Sequence, residues 1–92
     1  MSRNMPNPDE LIGQYIEEDP QRPGPADARL KEAGTAVWAL LSYLQLAVGN
    51  KIEQAASDYG VPPEAVEAAL AYYRQSPEHK RVIDARITLN AA

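Results

Sequence analysis

The most constraining feature of this sequence is a tight break, Gly60-Val61-Pro62-Pro63, between two short segments with helical spacing of apolar residues. Before the break, small and apolar residues recur every three or four positions and predict a helix from about residue 50 to 59. They are Ile52, Ala55, Ala56 and Tyr59. Gly60 is the expected left-handed terminator of this helix. Asn50 is its expected N-cap, and Glu53 would complete a capping box.

After the break, Pro62 and Pro63 suit the first turn of a second helix, because the amide donors that proline lacks have no helical partner there. The expected buried stripe of this helix consists of Val66, Ala69, Leu70 and Tyr73. Two short helices joined by a tight turn that contains glycine are typical of a helix-turn-helix. A plain helical hairpin is the alternative interpretation.

The second helix of this pair is poorly suited to read DNA. Base reading needs Arg, Lys, Asn or Gln near the start of the recognition helix. This helix has Glu64 and Glu67 there, and phosphates repel carboxylates. Sequence-specific DNA binding by this helix is therefore not the favoured expectation.

A third helical segment precedes the pair, from Ala36 to Val48, with Thr35 as its expected N-cap and Gly49 at its end. Its apolar residues cover nearly the whole circumference, and such a helix must be covered on more than one side. The cover is expected to come either from the N-terminal arm or from a second copy of the chain, giving a homodimer. The expected dimer interface consists of Trp38, Leu41, Tyr43 and Leu46.

The chain divides into an N-terminal arm, residues 1–33, and a helical domain, residues 34–92. Three prolines, at positions 20, 23 and 25, predict an extended surface loop within the arm, since proline and the residue before it disfavour helix. The expected fold class is mainly α: a three-helix helix-turn-helix-like core, a C-terminal helix, and an extended Pro-rich arm with room for a short strand.

The rest of the arm carries weaker signals. Met1 to Asp9 is polar with two prolines and is expected to fray. Leu11 to Glu17 has enough apolar residues for one short extended or helical piece. Asp27 to Glu32 is short and charged, and is expected to form a turn of helix before Gly34.

The C-terminal helix is predicted from Pro77 to Leu89, because Ser76-Pro77-Glu78 provides a cap, a proline at the first helical position and an acid that favours the helix dipole. One partly apolar face is expected to bind a protein partner. Its residues are His79, Val82, Ile83, Arg86 and Ile87. The residues expected to contact nucleic acid are the basic residues Arg74, Lys80 and Arg81.

Composition disfavours an enzyme. There is no cysteine and a single histidine, so no disulfide, no metal site and no nucleophile pair is expected, and no cofactor is implied. The start of the chain has no apolar run of the signal-peptide kind, and Ala36 to Val48 is too short to span a bilayer. A cytoplasmic protein without membrane contact is expected. The net charge of −4 also disfavours non-specific nucleic-acid binding.

Short motifs between residues 33 and 73 carry a family resemblance. They are Gly34-Thr35-Ala36-Val37-Trp38-Ala39-Leu40-Leu41, Ile52-Glu53-Gln54, Asp58-Tyr59 and Val66-Glu67-Ala68-Ala69-Leu70-Ala71-Tyr72. The chain resembles the domain-of-unknown-function family four-three-three, which is antitoxin-like and has a homeodomain-like helical core. The resemblance implies a small dimeric partner of a toxin, often a PIN-like ribonuclease. The family's strand segment with Gly-Lys-Pro is not matched, since Ala28 to Thr35 lacks that proline and its first glycine.

Two functions follow from these observations. The first is an antitoxin that binds and neutralises a cognate toxin with its C-terminal helix, which would order on binding. The second is a dimeric DNA-binding transcriptional regulator that presents its basic C-terminal segment to phosphates and has no toxin partner. Both roles can coexist in a protein that also represses its own operon.

Overall fold

The structure is a computed structural model that describes residues 7–91. Within this range, five helices and two short strands follow one another along the chain. The helices are α1 (Pro8–Tyr15), α2 (Val37–Leu46), α3 (Ile52–Tyr59), α4 (Pro63–Tyr73) and α5 (Pro77–Ala91). The strands, both between α1 and α2, are β1 (Ile16–Glu17) and β2 (Arg29–Leu30). The predicted mainly α fold with a short strand near the N-terminus is confirmed.

The first helix begins earlier than the sequence suggested. The Asn7 side chain accepts a hydrogen bond from the Glu10 amide (2.8 Å), and the Glu10 carboxylate accepts one from the Asn7 amide (3.2 Å). This capping box, with Pro8 at the first helical position, satisfies amides that would otherwise lack partners. The expectation of a frayed segment is therefore wrong for residues 7–9, while residues 1–6 lie outside the described range.

The two strands fold the arm onto the body. They pair antiparallel, with Ile16 opposite Leu30, and both of these side chains are buried. The Val37 amide donates to the Ala28 carbonyl (2.9 Å), which joins the second strand to the start of α2. The turn of helix expected over Asp27–Glu32 is wrong, because these residues form a strand and a tight turn whose Gly34 has φ +71°.

Helix α4 lies in the middle of the molecule. Its alanines are small enough to let other helices approach closely, and Ala65, Ala68 and Ala69 are almost fully buried. Helix α1 packs against α4 from the N-terminal side of the chain, and α2, α3 and α5 pack around the rest of it. The arm and the helical region therefore share one core.

Helix α2 is covered by its own chain. Val37, Leu40, Leu41 and Leu44 are buried, and α3, α4 and α5 provide the cover. The arm contributes as well, because Ala28 and Leu30 belong to the same buried core and the Val37 amide donates to the Ala28 carbonyl. The exception is Leu46, which is 67% exposed at the end of the helix.

Two of the predicted helix ends are confirmed, and two of the predicted N-caps are wrong. Gly60 has φ +69° and ends α3 as predicted, since a left-handed residue there favours glycine. The Ser76 hydroxyl accepts from the His79 amide (3.1 Å) and caps α5 as predicted. The caps expected at Thr35 and Asn50 are wrong: the cap residues are Ala36 and Lys51, without side-chain hydrogen bonds, and Asn50 has φ +67°.

Candidate partner-binding surfaces

The C-terminal helix is docked on the domain through the face expected to bind a partner. Ile83 is fully buried and Ile87 is 8% exposed, while His79 and Val82 are half-buried. The structure therefore places Ile83 and Ile87 in the core and leaves His79 and Val82 partly accessible to solvent. Helix α5 keeps one large apolar residue outside, Leu89, which is 76% exposed.

His79 is held by a specific contact to α4. Its ring lies against the Tyr72 ring with the two centres 4.4 Å apart. Its Nδ1 lies 2.9 Å from the Tyr72 carbonyl oxygen. Because a carbonyl only accepts hydrogen bonds, Nδ1 is the donor and carries the proton. His79, expected on the partner-binding face, therefore joins α5 to α4.

Tyr72, and not the predicted Tyr73, is the buried tyrosine of α4. Its side chain is 3% exposed, and its hydroxyl donates to Glu18 (2.8 Å) in the loop that follows β1. Burial raises the pKa of the Tyr72 phenol, and the bond to Glu18 raises it further. Tyr73 is half-buried and its hydroxyl donates to Asp84 (2.7 Å), a bond that raises its pKa to about 12.

Arg86 on α5 contacts both the end of the Pro-rich loop and the start of α2. Its guanidinium lies 5.4 Å from the centre of the Trp38 ring. It also lies 3.5 Å from the Asp27 carboxylate and 3.4 Å from the Ala26 carbonyl oxygen. Arg86 and Trp38, predicted to belong to a partner surface and a dimer interface, thus contact each other within one chain.

The other residues expected at a dimer interface are spread over different environments. Leu41 is fully buried. Tyr43 is half-buried, packs edge-on against Tyr59 with ring centres 5.1 Å apart, and donates to Asp58, a bond that raises its pKa. Leu46 alone among the four is well exposed. The structure does not bring these residues together as one exposed surface.

The three basic residues expected to contact nucleic acid are exposed. Arg81 forms an ion pair with Glu78 on the same helix. The Lys80 ammonium lies 6.0 Å from the centre of the Tyr73 ring. Arg74 ends α4 and borders a groove that also contains Asp9 and Glu67. Two of the three therefore lie beside carboxylates, which weakens their attraction for phosphate.

Helix α4 is the second helix of the pair around Gly60, and the other helices cover much of its surface. Its residues Pro63, Glu64 and Glu67 are exposed, while most of the remaining surface is covered by the other helices. The largest single contact is with α1. The charged side chains that the helix presents to solvent are therefore the carboxylates of Glu64 and Glu67.

An open groove of about 660 Å³ lies between α1 and α4. The start of α3 closes one end of it. Its lining residues include Asp9, Ile12, Ile52, Glu67, Leu70, Ala71 and Arg74. Glu67, Leu70 and Ala71 on α4 and Arg74 directly after it follow at positions +3, +4 and +7 from Glu67, which places them on one helical face. We call this surface the α1–α4 groove.

The sequence interpretation missed this groove because it missed α1. The signal was present in Asn7-Pro8-Asp9-Glu10, which combines a cap, a proline at the first helical position and an acid three residues after the cap. Pairing of α1 with α4 is non-local and has no comparable signal. A second groove, of about 420 Å³, lies where the turn before α4 meets Lys31 and Glu32.

Comparisons with protein-family models, with curated proteins and with solved structures find no match to this chain. The family resemblance thus rests on the motifs quoted above. In residues 7–91, no helix is long and apolar enough to cross a membrane. In the same range, no three His, Asp or Glu side chains come together as metal ligands.

Proposed function

We propose that this chain is a small antitoxin-like protein that binds and neutralises a partner toxin. The family resemblance makes a PIN-like ribonuclease the expected partner. The activity is binding alone and needs no catalytic group of this chain. The partner recognises a preformed surface of the folded domain.

The observation that carries the proposal is the environment of α4. A helix-turn-helix regulator needs this helix exposed and lined with donors for base edges. Here α1 covers one side of it, and its exposed early residues are Glu64 and Glu67. A surface of this kind repels DNA and suits a basic protein.

Charge supports a nuclease as the partner class. Enzymes that bind RNA use basic surfaces, because neutralising phosphates supplies much of their affinity. Residues 33–73 carry one basic residue, Lys51, and four carboxylates. Complementary charge steers association and disfavours wrong partners. An acidic domain of this size therefore suits the role of covering a basic nuclease surface.

The manner of binding differs from the one expected from sequence. An end segment that orders on binding would leave Ile83 and Ile87 without cover before the partner arrives. In the structure both are buried against the domain. The proposal therefore uses a surface that exists before binding, and the entropic cost of folding a helix on the partner does not arise.

Co-expression with the product of the neighbouring gene tests the proposal. The neighbour alone is expected to arrest growth, and this chain is expected to restore growth and to co-purify with it. Binding should weaken as salt rises, because the attraction is electrostatic. A neighbour that is harmless, or that neither co-purifies nor is neutralised, contradicts the antitoxin proposal.

A DNA-binding regulator is the second candidate, and the exposure of Arg74, Lys80 and Arg81 favours it. A gel-shift assay with the promoter of the gene tests it at low and high salt. If DNA is bound, replacing all three residues by glutamine should abolish the shift, while Arg22→Gln in the exposed Pro-rich loop should not. Absence of binding at low salt removes this candidate.

A further inference from the structure

We infer that the α1–α4 groove is the docking site for the protein partner, and that it takes an apolar side chain flanked by Lys or Arg residues. The inference rests on the proposed protein-binding function and adds the surface and the chemistry of the segment it recognises. Three properties of the groove carry it: an uncovered apolar floor, an excess of carboxylates at its edges, and the fixed position of its walls.

The floor of the groove is apolar and only half covered by the chain itself. Ile12, Ile52, Leu70 and Ala71 come from three different helices and are all partly exposed. A volume of about 660 Å³ lies within the range of protein binding pockets. Anchor side chains that carry most of the affinity of an interface fill apolar pockets, which lose their water when the partner binds.

The edges of the groove are acidic. Asp9 and Glu67 are exposed on opposite walls, and Arg74 is the basic residue that borders them. Each carboxylate can therefore pair with a Lys or Arg residue next to the apolar side chain of the partner that enters the groove. A partner segment with acidic flanks would be repelled at both walls.

The surroundings extend this charge. Glu53 directly follows the lining residue Ile52, and Glu64 lies one helical turn before Glu67; both are exposed. Lys51 is the basic neighbour on that side. The second groove differs, since its charged lining residues, Lys31 and Glu32, balance each other. Charge complementarity therefore singles out the α1–α4 groove.

The walls are preorganised. The capping box at Asn7 and Glu10 fixes the start of α1, and the contacts of α4 with every other helix fix the opposite wall. A preformed site loses little conformational freedom on binding. The segment that enters it can therefore be short.

Titration with a synthetic amphipathic peptide of leucine and lysine tests the inference directly, with the same peptide carrying glutamate for lysine as the matched probe. Backbone amide NMR shifts report the site. The lysine peptide is expected to bind and to shift the amides of Ile12, Leu70 and Ala71. The glutamate peptide is expected to bind at least tenfold more weakly, because the carboxylates repel it.

Two variant pairs separate the groove from general charge and from folding. Glu67→Lys lies in the groove, and Glu32→Lys makes the same charge change at an exposed position outside it. Ala71→Met fills the floor, and Ala85→Met adds the same side chain at an exposed position of α5. The groove variants should weaken the lysine peptide about tenfold. Each control should lose less than threefold, and circular dichroism should show all four folded.

Equal binding of both peptides, shifts centred on another surface, or equal effects of Glu32→Lys and Glu67→Lys would overturn the inference. The same variants in the co-expression assay distinguish it from the proposed function. If Glu67→Lys and Ala71→Met neutralise the toxin like the wild type, the groove is not the docking site although the antitoxin proposal stands. If the groove binds the lysine peptide but no neighbouring toxin is neutralised, the antitoxin proposal fails and the groove remains.

Discussion

Where α4 meets α5, side chains are closed in by specific contacts, whereas where α4 meets α1 they line an open groove. Tyr72 and His79 lie ring against ring, and His79 donates to a backbone carbonyl. Leu70 and Ala71, only one or two positions before Tyr72, remain partly exposed. Two faces of one helix therefore differ in whether the chain provides its own cover.

The difference separates stability from function. A contact in which polar groups are paired and apolar groups are buried stabilises the fold and leaves nothing for a partner. Apolar side chains that stay half-covered gain more burial when something binds. The α5 junction is therefore expected to be sensitive to substitution in folding, and the α1–α4 groove to be sensitive in binding.

The largest effect is expected from Ile83→Ala, because Ile83 is fully buried where α5 packs on the domain. Truncating a buried isoleucine to alanine lowers the unfolding free energy by about 3 kcal/mol. This is a large part of the total stability of a small domain. Urea denaturation followed by circular dichroism measures the loss. Leu89→Ala on the exposed end of the same helix should change stability by less than about 0.5 kcal/mol.

Should the alanine variant not fold, Ile83→Val keeps the test quantitative, with an expected loss of about 1 kcal/mol. A helix that is detached in solution and orders only on a partner would make Ile83 and Leu89 equally tolerant. That result would restore the sequence-based expectation of a free partner-binding helix and would remove the contrast between the two faces.

A smaller effect is expected from Tyr72→Phe, which removes the hydroxyl that donates to Glu18. A hydrogen bond to a charged acceptor in a partly buried setting contributes about 1 kcal/mol, and Glu18 retains the Gly24 amide as a donor (3.1 Å). The same denaturation series measures it. Tyr73→Phe is the matched control on the adjacent residue, where the bond to exposed Asp84 should contribute less.

The pH dependence of stability provides a second test of the Tyr72 and Tyr73 hydroxyl contacts. Folding raises the pKa of both phenols, so the folded state keeps its protons while the unfolded tyrosines ionise near pH 10. The stabilisation is fully present below pH 10 and is lost as the pH rises toward the folded values, about 12 for Tyr73. Tyr72→Phe should flatten the alkaline loss of stability. An unchanged alkaline profile would contradict the burial of this hydroxyl.

Several local features of this fold were predictable from sequence, although the caps expected at Thr35 and Asn50 were wrong, and the non-local features were not predictable. Gly60 and Ser76 act through neighbours a few residues away, so their roles as terminator and cap are visible in the chain. The spacing of Ile83 and Ile87 marks an apolar face but not what covers it, because a docked helix and a free amphipathic helix share that pattern. The His79 ring donates to a backbone carbonyl, and such a contact has no sequence signal because every residue carries a carbonyl.

The candidate site was missed for the same reason. The α1–α4 groove exists because α1 packs against α4, a helix that comes much later in the chain. Short polar stretches with prolines resemble loops in composition. For the segment that forms α1, the capping pattern at Asn7 is the sequence signal that distinguishes a helix from a frayed terminus.

The smallest effect on folding is expected from Ala71→Met, which tests whether the groove is open. The added side chain has space to enter, so unfolding free energy should change by less than about 0.5 kcal/mol. Ala69→Met is the matched variant two residues earlier, at a fully buried position. Overpacking there should cost about 1 to 3 kcal/mol. If both variants lose stability equally, the groove holds no free space. That result would contradict the proposed docking site.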